Sequence, residues 1–273
     1  MVRLKMHSFN DYWPDRNYIE GEPYIDCYND CFCLYDPIEP YSIALMLEPR
    51  SIDPQGYEFV DKHPGKFAYI FTHDAELLKN ENARFYNWAW VWGTADVPKT
   101  KGISFISSDK ELCELHTRRL RLAKEYDGSG KVDCFGTFKG VKNWTNTYDS
   151  HAEYRFAIVI ENGISDYWFT EKIVNCFSNK TVPIYLGANK IDEFFNPAGI
   201  IQVRDEIEIR SVVDRLNESE ERMRRVYNRM RPAIDDNFER AKDYTVHWRD
   251  RFWIQFEGIL NDLCNAKQGS GLS

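Results

Sequence analysis

The sequence contains no run of the roughly 20 apolar residues that a helix needs to cross a bilayer. Its opening segment, Met1 to His7, lacks the apolar core of a secretory signal. Both absences point to a soluble chain, with the cytoplasm or another soluble intracellular compartment as the expected location. An excess of positive charge is missing too. With 35 Lys and Arg against 43 Asp and Glu, the net charge is −8, which argues against a general polyanion binder, because phosphates are held by Lys and Arg. The basic run Arg222, Arg224, Arg225, Arg229 and Arg231 neighbours Glu218, Glu220 and Glu221 and reads as a solvated helix face. No nucleic-acid partner is expected.

Cysteines are present, but not in a pattern that pairs. There are 7, an odd number, scattered along the chain, so a disulfide framework is not expected. Cys27, Cys31 and Cys33 cluster, yet no second ligand pair follows at finger-like spacing, and ordinary thiols are the expectation rather than a metal site. No internal repeat is present. The low-complexity end, Gly269 to Ser273, is expected to be disordered.

What the sequence does hold is enough length, 273 residues, for two lobes, and a high aromatic content of 15 %. Such rings build cores first, although their flat faces also suit carbohydrate. Buried strands are expected at Tyr41–Leu47 and Lys66–Phe71, each stopped by polar or proline residues. The punctuated stretch Val97–Gly102 reads as a linker. Beyond it come a strand at Ile103–Ser107, a helix over about 110–125 with Leu112, Leu115, Arg119 and Leu122 on one face, and a strand and turn at Lys131–Gly136. Strands follow at Tyr154–Ile160, Thr181–Leu186 and Ile200–Val203, with a helix capped by Thr170 between the first two. Alternating strands and helices give an α/β chain with parallel sheet. Three apolar stripes, beginning at Ile209, Met223 and Phe252, make the last seventy or so residues helical.

In parallel α/β sheets ligands bind beyond the carboxyl ends of the strands, which singles out Glu161 to Lys172. A helix start offers free N–H groups and partial positive charge to a phosphate. Lys172 opposes the dipole in the first turn and makes better sense serving an anion, while Glu171 suits sugar or ribose hydroxyls. On spacing alone the segment reads first as a helix start with exposed charges.

Glu161-Asn162, Thr170-Glu171-Lys172 and the ungapped run on to Thr181-Val182-Pro183-Ile184-Tyr185-Leu186-Gly187 resemble the donor-binding signature of the α-1,3-fucosyltransferases, glycosyltransferase family 10. Tyr154-Arg155-Phe156 resembles that family's lead-in. Ser107-Ser108, Arg119, Leu122, Tyr126 and Val132-Asp133-Cys134-Phe135-Gly136 resemble its upstream block. The resemblance implies a GT-B-like fold of two Rossmann-like lobes with a central cleft and C-terminal helices. It divides the chain into an acceptor-side lobe at 1–98, a nucleotide-sugar lobe at 99–205, bracing helices at 206–268 and a tail at 269–273. It makes Arg119 the residue on the donor diphosphate, with Arg118 as the alternative if the register slips by one. Glu161, Asn162, Tyr167, Trp168, Thr170, Glu171 and Lys172 complete the implied donor site. Leu47-Glu48-Pro49 resembles the segment carrying the family's catalytic base, Glu48 here, and His73 and Asp74 fall on the acceptor side. Gly163 replaces the family's usual Ser, and Trp168 stands where it has a Tyr, with Tyr167 one residue earlier.

The implied activity is an inverting transfer of fucose from GDP-fucose to a glycan hydroxyl. Another nucleotide sugar, or a non-catalytic carbohydrate- or nucleotide-binding module of the same fold, is the alternative. The sequence has no Asp-x-Asp, the motif with which transferases of the other main fold hold a divalent ion. No cofactor is expected to be required, and stimulation by Mn2+ or Mg2+ stays open.

Overall fold

The computed structural model describes residues 3–8, 22, 24–34, 41–140 and 146–270. They form two compact units. One comprises Met1–Trp88 together with Trp248–Ser273, the other Ala89–His247. The fold class is the expected one, α/β and GT-B-like, with a parallel sheet in each unit.

The first unit holds a five-stranded parallel sheet in the order β1 (Leu4–His7), β2 (Ile25–Asn29), β3 (Ile43–Met46), β4 (Tyr69–Thr72) and β5 (Ala83–Phe85). β3 and β4 lie where the apolar runs put them. β1 and β2 gave no such signal, because polar residues interrupt them; Asp26 is buried in β2 and meets His7 of β1 at 2.8 Å. Helix α1 (Pro54–Lys62) joins one core through Tyr57 and Val60, which pack with Tyr28, Met46 and Ile70.

The second unit holds a five-stranded sheet in the order β10 (Ile201–Gln202), β9 (Val182–Leu186), β8 (Tyr154–Ile160), β6 (Lys101–Ile106) and β7 (Asp133–Phe135), again parallel throughout. Every residue of β8 is buried, as a central strand covered on both faces must be. Phe156, Ile158 and Ile160 face one core with α2 (Glu114–Tyr126), α4 (Glu206–Leu216) and part of α5 (Glu220–Ala241). Ala157 and Val159 face the other, with Ile173, Val174, Cys176 and Phe177 of α3 (Glu171–Ser178).

Three features differ from the sequence reading. The stretch 97–102 is not a free linker: Lys99 donates to the carbonyls of Ala152 and His151 (2.5 and 3.3 Å), and Lys101 opens β6. Just upstream, the amide of Trp92 bonds Asn175 at 2.8 Å and Gly93 accepts from Ser178 at 2.8 Å. The division therefore falls between Trp88 and Ala89. Secondly, α6 (Trp248–Gly269) belongs to the first unit, where Phe252 and Phe256 pack on Phe71 at ring distances of 4.9 and 4.5 Å, and the Tyr86 hydroxyl donates to the Trp248 carbonyl. The helices beyond 206 thus divide, α4 and α5 to the second sheet and α6 to the first. Thirdly, α2 starts at Glu114, and Leu112 is 69 % exposed rather than on the buried face. Of the tail expected to be disordered, Gly269 ends α6 and the Ser270 amide bonds Ala266; residues 271–273 lie outside the described ones.

Among the described residues no helix is long and apolar enough to cross a membrane, and no group of three or more His, Cys, Asp or Glu is arranged to hold a metal ion.

Candidate active site

The carboxyl end of β8 delivers Glu161 and Asn162, and nine residues later the chain starts α3. Thr170 caps that helix as its spacing predicts, with extended backbone and its hydroxyl accepting from the Lys172 amide at 3.3 Å. Glu161 is fully buried and turns its carboxylate back on the cap. Oε1 accepts from the Thr170 amide at 2.9 Å and Oε2 from the Thr170 hydroxyl at 2.8 Å. Burial raises the proton affinity of Glu161, against the pull of Lys172 and these two bonds.

The Lys172 ammonium lies 3.0 Å from the Thr170 hydroxyl, 3.2 Å from Glu171 Oε1 and 3.4 Å from Glu161 Oε2. Burial pushes its pKa down, but the Glu171 and Glu161 carboxylates outweigh that and leave it raised. A quarter of its side chain remains open to solvent. The second oxygen of Glu171 is buried without a hydrogen-bond partner, leaving an acceptor for a hydroxyl.

Arg119 reaches the same place from α2. It is 5 % exposed, and its Nη1 donates to the Ile160 carbonyl at 2.9 Å and to Asn162 Oδ1 at 3.0 Å. Burial lowers its pKa, but a guanidinium stays charged. Arg118, one residue away, turns to the other side of α2 and binds Glu206 through Nε (2.6 Å) and Nη2. The helix phase therefore separates the two arginines: Arg119 in the cluster, Arg118 in an ion pair. A further residue, unmarked in the sequence except by its place three positions before Arg119, joins them. His116 is 3 % exposed, hydrogen-bonds the Asn162 side chain and feels the Arg119 and Lys172 charges.

The Trp168 side chain is fully buried as part of the core, and its amide is held by Ser165 at 3.1 Å. Tyr167 is partly exposed, and its hydroxyl accepts from Lys190 at 3.0 Å, with the Lys190 ammonium 4.9 Å from the ring centre.

The residues expected on the acceptor side lie in the first unit. Glu48 follows β3, and its amide, like that of Leu47, donates to Asp30 Oδ1 (3.0 and 2.7 Å). Burial and the nearby Glu48 raise Asp30 to about 8. His73 is buried, with Nε2 3.2 Å from the Leu47 carbonyl, and burial lowers it to about 4. Asp74 forms a two-pronged pair with Arg50 (2.7 Å twice) and caps the amides of Glu76 and Leu77. Both His73 and Asp74 thus hold the turn after β4 in shape.

The family model for the C-terminal region of glycosyltransferase family 10 (fucosyltransferase) matches residues 97–263. The α-(1,3)-fucosyltransferase FucT of Helicobacter pylori is 32 % identical over 63 residues, which span 23 % of this chain and 13 % of that protein. Structures of α1,3-fucosyltransferase with GDP and with GDP-fucose are 14 % identical to it. The first covers 78 % of this chain and 70 % of its own at a TM-score of 0.52. The second covers 76 % and 68 % at 0.50. The pneumococcal O-GlcNAc transferase GtfA, solved with UDP and GlcNAc, gives 0.52 at 5 % identity over 87 % of this chain and 57 % of its own. At such identities these structures speak for the fold alone.

Proposed function

Because the chain belongs to glycosyltransferase family 10, we propose that it transfers fucose from GDP-fucose to a hydroxyl of a glycan. The observation that carries this reading is the meeting of Arg119 and Lys172 at the carboxyl end of β8, where Asn162 binds Arg119 and Thr170 opens the helix beside Lys172. Two cations and a helix N-terminus form a seat for a diphosphate. The open oxygen of Glu171 accepts a ribose or sugar hydroxyl.

In the proposed reaction the Glu48 carboxylate takes the proton of the acceptor hydroxyl as its oxygen attacks the anomeric carbon. The bond from that carbon to the diphosphate breaks with inversion. The leaving diphosphate, rich in charge, is stabilised by Arg119, Lys172 and the helix amides. The sugar passes through oxocarbenium character, as glycosyl centres do. The residues named here need no metal ion for these roles.

The test is a thermal-shift panel of GDP, GDP-fucose, GDP-mannose, UDP-glucose, UDP-galactose and CMP-sialate. A ligand that binds only the folded chain raises its melting temperature. The expected result is a shift by the guanine compounds alone, lost in Lys172→Ala. A shift by a uridine or cytidine compound instead removes GDP-fucose as donor. Product stereochemistry, read by NMR at the anomeric proton, tests inversion.

A further inference from the structure

His116 has no role in the residue pattern that led to the donor site, yet it sits inside it. The ring is 3 % exposed, and its Nδ1 is buried without a hydrogen-bond partner. Native interiors pair such atoms, and an orphan of this kind asks for a ligand. The side chain of Asn162, whose oxygen also accepts from Arg119, holds the ring. In the tautomer that donates Nε2–H to the Asn162 oxygen, the unpartnered Nδ1 carries the lone pair.

The surroundings of the ring are cationic. Arg119 lies on its own helix, Lys172 comes from α3 and Lys110 from the segment before α2. The carboxylates of Glu161 and Glu171 face Arg119 and Lys172. Burial first, then the charges of Arg119 and Lys172, hold the imidazole at about 4, neutral in the free chain near neutral pH. A diphosphate arriving between these cations reverses the local field.

We infer that His116 is a donor-binding residue that takes up a proton from solvent when the diphosphate binds and donates its new Nδ1–H to a phosphoryl oxygen. The inference rests on the reading of this cluster as the donor site. One N–H bond is formed and no bond of the donor is broken, so the step is binding coupled to protonation. Its consequence is that donor affinity rises as pH falls through the neutral range, by at most about tenfold per pH unit for one proton. The linkage also adds a third positive charge to the site only when the anion is there to meet it. An empty site is thereby spared a third buried cation.

The experiment is calorimetric titration of the full chain with GDP-fucose in buffers of different ionisation enthalpy, between about pH 6 and about pH 8, where the diphosphate diester of this donor does not itself titrate. The expected result is net proton uptake by the wild type, approaching about one per site toward the acid end. His116→Gln, whose amide replaces Nε2 and keeps the Asn162 contact, should bind several-fold more weakly with no uptake. His116→Asn, whose amide nitrogen stands near the Nδ1 position, should recover part of the affinity, also without uptake. Melting temperatures of the unliganded variants separate loss of binding from loss of fold. Wild-type binding without proton uptake, or His116→Gln binding with wild-type affinity and uptake, overturns the inference while leaving the donor site intact. Absence of GDP-fucose binding by the wild type at every pH overturns the donor reading and this inference with it.

Discussion

The buried carboxylate of Glu161 grips both the amide and the hydroxyl of Thr170, at 2.9 and 2.8 Å, and so ties the end of β8 to the first turn of α3. The loop between them is closed by this pair, and Lys172 is held over it. Thr170→Val keeps the shape but removes the hydroxyl that caps α3 and bonds Glu161. The expected loss is about 1–3 kcal/mol in denaturant unfolding, with Thr170→Ser restoring most of it. An unchanged unfolding midpoint for the valine variant would show that the tie carries no stability.

Glu161 also gives a pH signature. Burial raises its pKa in the folded chain. A raised acid stabilises the fold below its ordinary range and loses that contribution as pH rises through the folded value. The stability of the wild type relative to Glu161→Gln should therefore fall as pH rises above the ordinary carboxylate range. Chemical denaturation at several pH values checks it, and a difference that grows with pH contradicts the assignment.

The two neighbouring arginines should separate cleanly. Arg119→Ala removes charged hydrogen bonds in the cluster and is expected to weaken donor binding on the order of 10- to 100-fold. Arg118→Ala should leave donor affinity as it is and act on stability instead. Its hydrogen bonds to Glu206 hold that acid at about 2, below its ordinary 4.5. A depressed acid stabilises above its ordinary pKa and loses that as pH falls through the folded value. The Arg118→Ala deficit should be full near neutrality and vanish over that acid interval, as measured by unfolding at each pH.

Gly187 is fixed by space rather than by backbone angle. A Cβ there would stand 2.4 Å from the Tyr185 hydroxyl and 2.6 Å from Cγ of Glu161. Gly187→Ala should cost about 1–3 kcal/mol by overpacking and, by moving Glu161, weaken donor binding as well. Full donor affinity in a destabilised Gly187→Ala chain would mean that the Glu161 position does not bear on the ligand.

If Glu48 is the base, Glu48→Gln should bind donor like the wild type and lose turnover by about 100- to 10,000-fold. Initial rates at saturating GDP-fucose, beside the thermal shift, separate the two effects. Full turnover by the glutamine variant would hand the proton to another group.

The sequence by itself determined the local structure of the second unit. Seven continuous apolar or packed residues made β8 a covered central strand, and Thr170 before a helical stripe placed the start of α3 at Glu171. Such signals lie within a few residues of each other, so periodicity and capping chemistry read them directly. The motif on which the proposed donor site rests was legible for the same reason, being carried largely by one short loop. What only the tertiary structure decided depended on distant partners. Trp168 lies beside Tyr167 in sequence, yet one ring is core and the other reaches the surface. Arg118 and Arg119 differ by about 100° of helix rotation, which sends one to Glu206 and the other to Asn162. The stretch 97–102 carries the punctuation of a linker but is bound by carbonyls some fifty residues on, and α6 returns to pack on Phe71 in the first unit. His116 entered the cluster through Asn162, Arg119 and Lys172, with an Nδ1 that folding left without a partner. A residue pattern records which side chains a segment offers, and only the packed chain determines which of them are left without a partner.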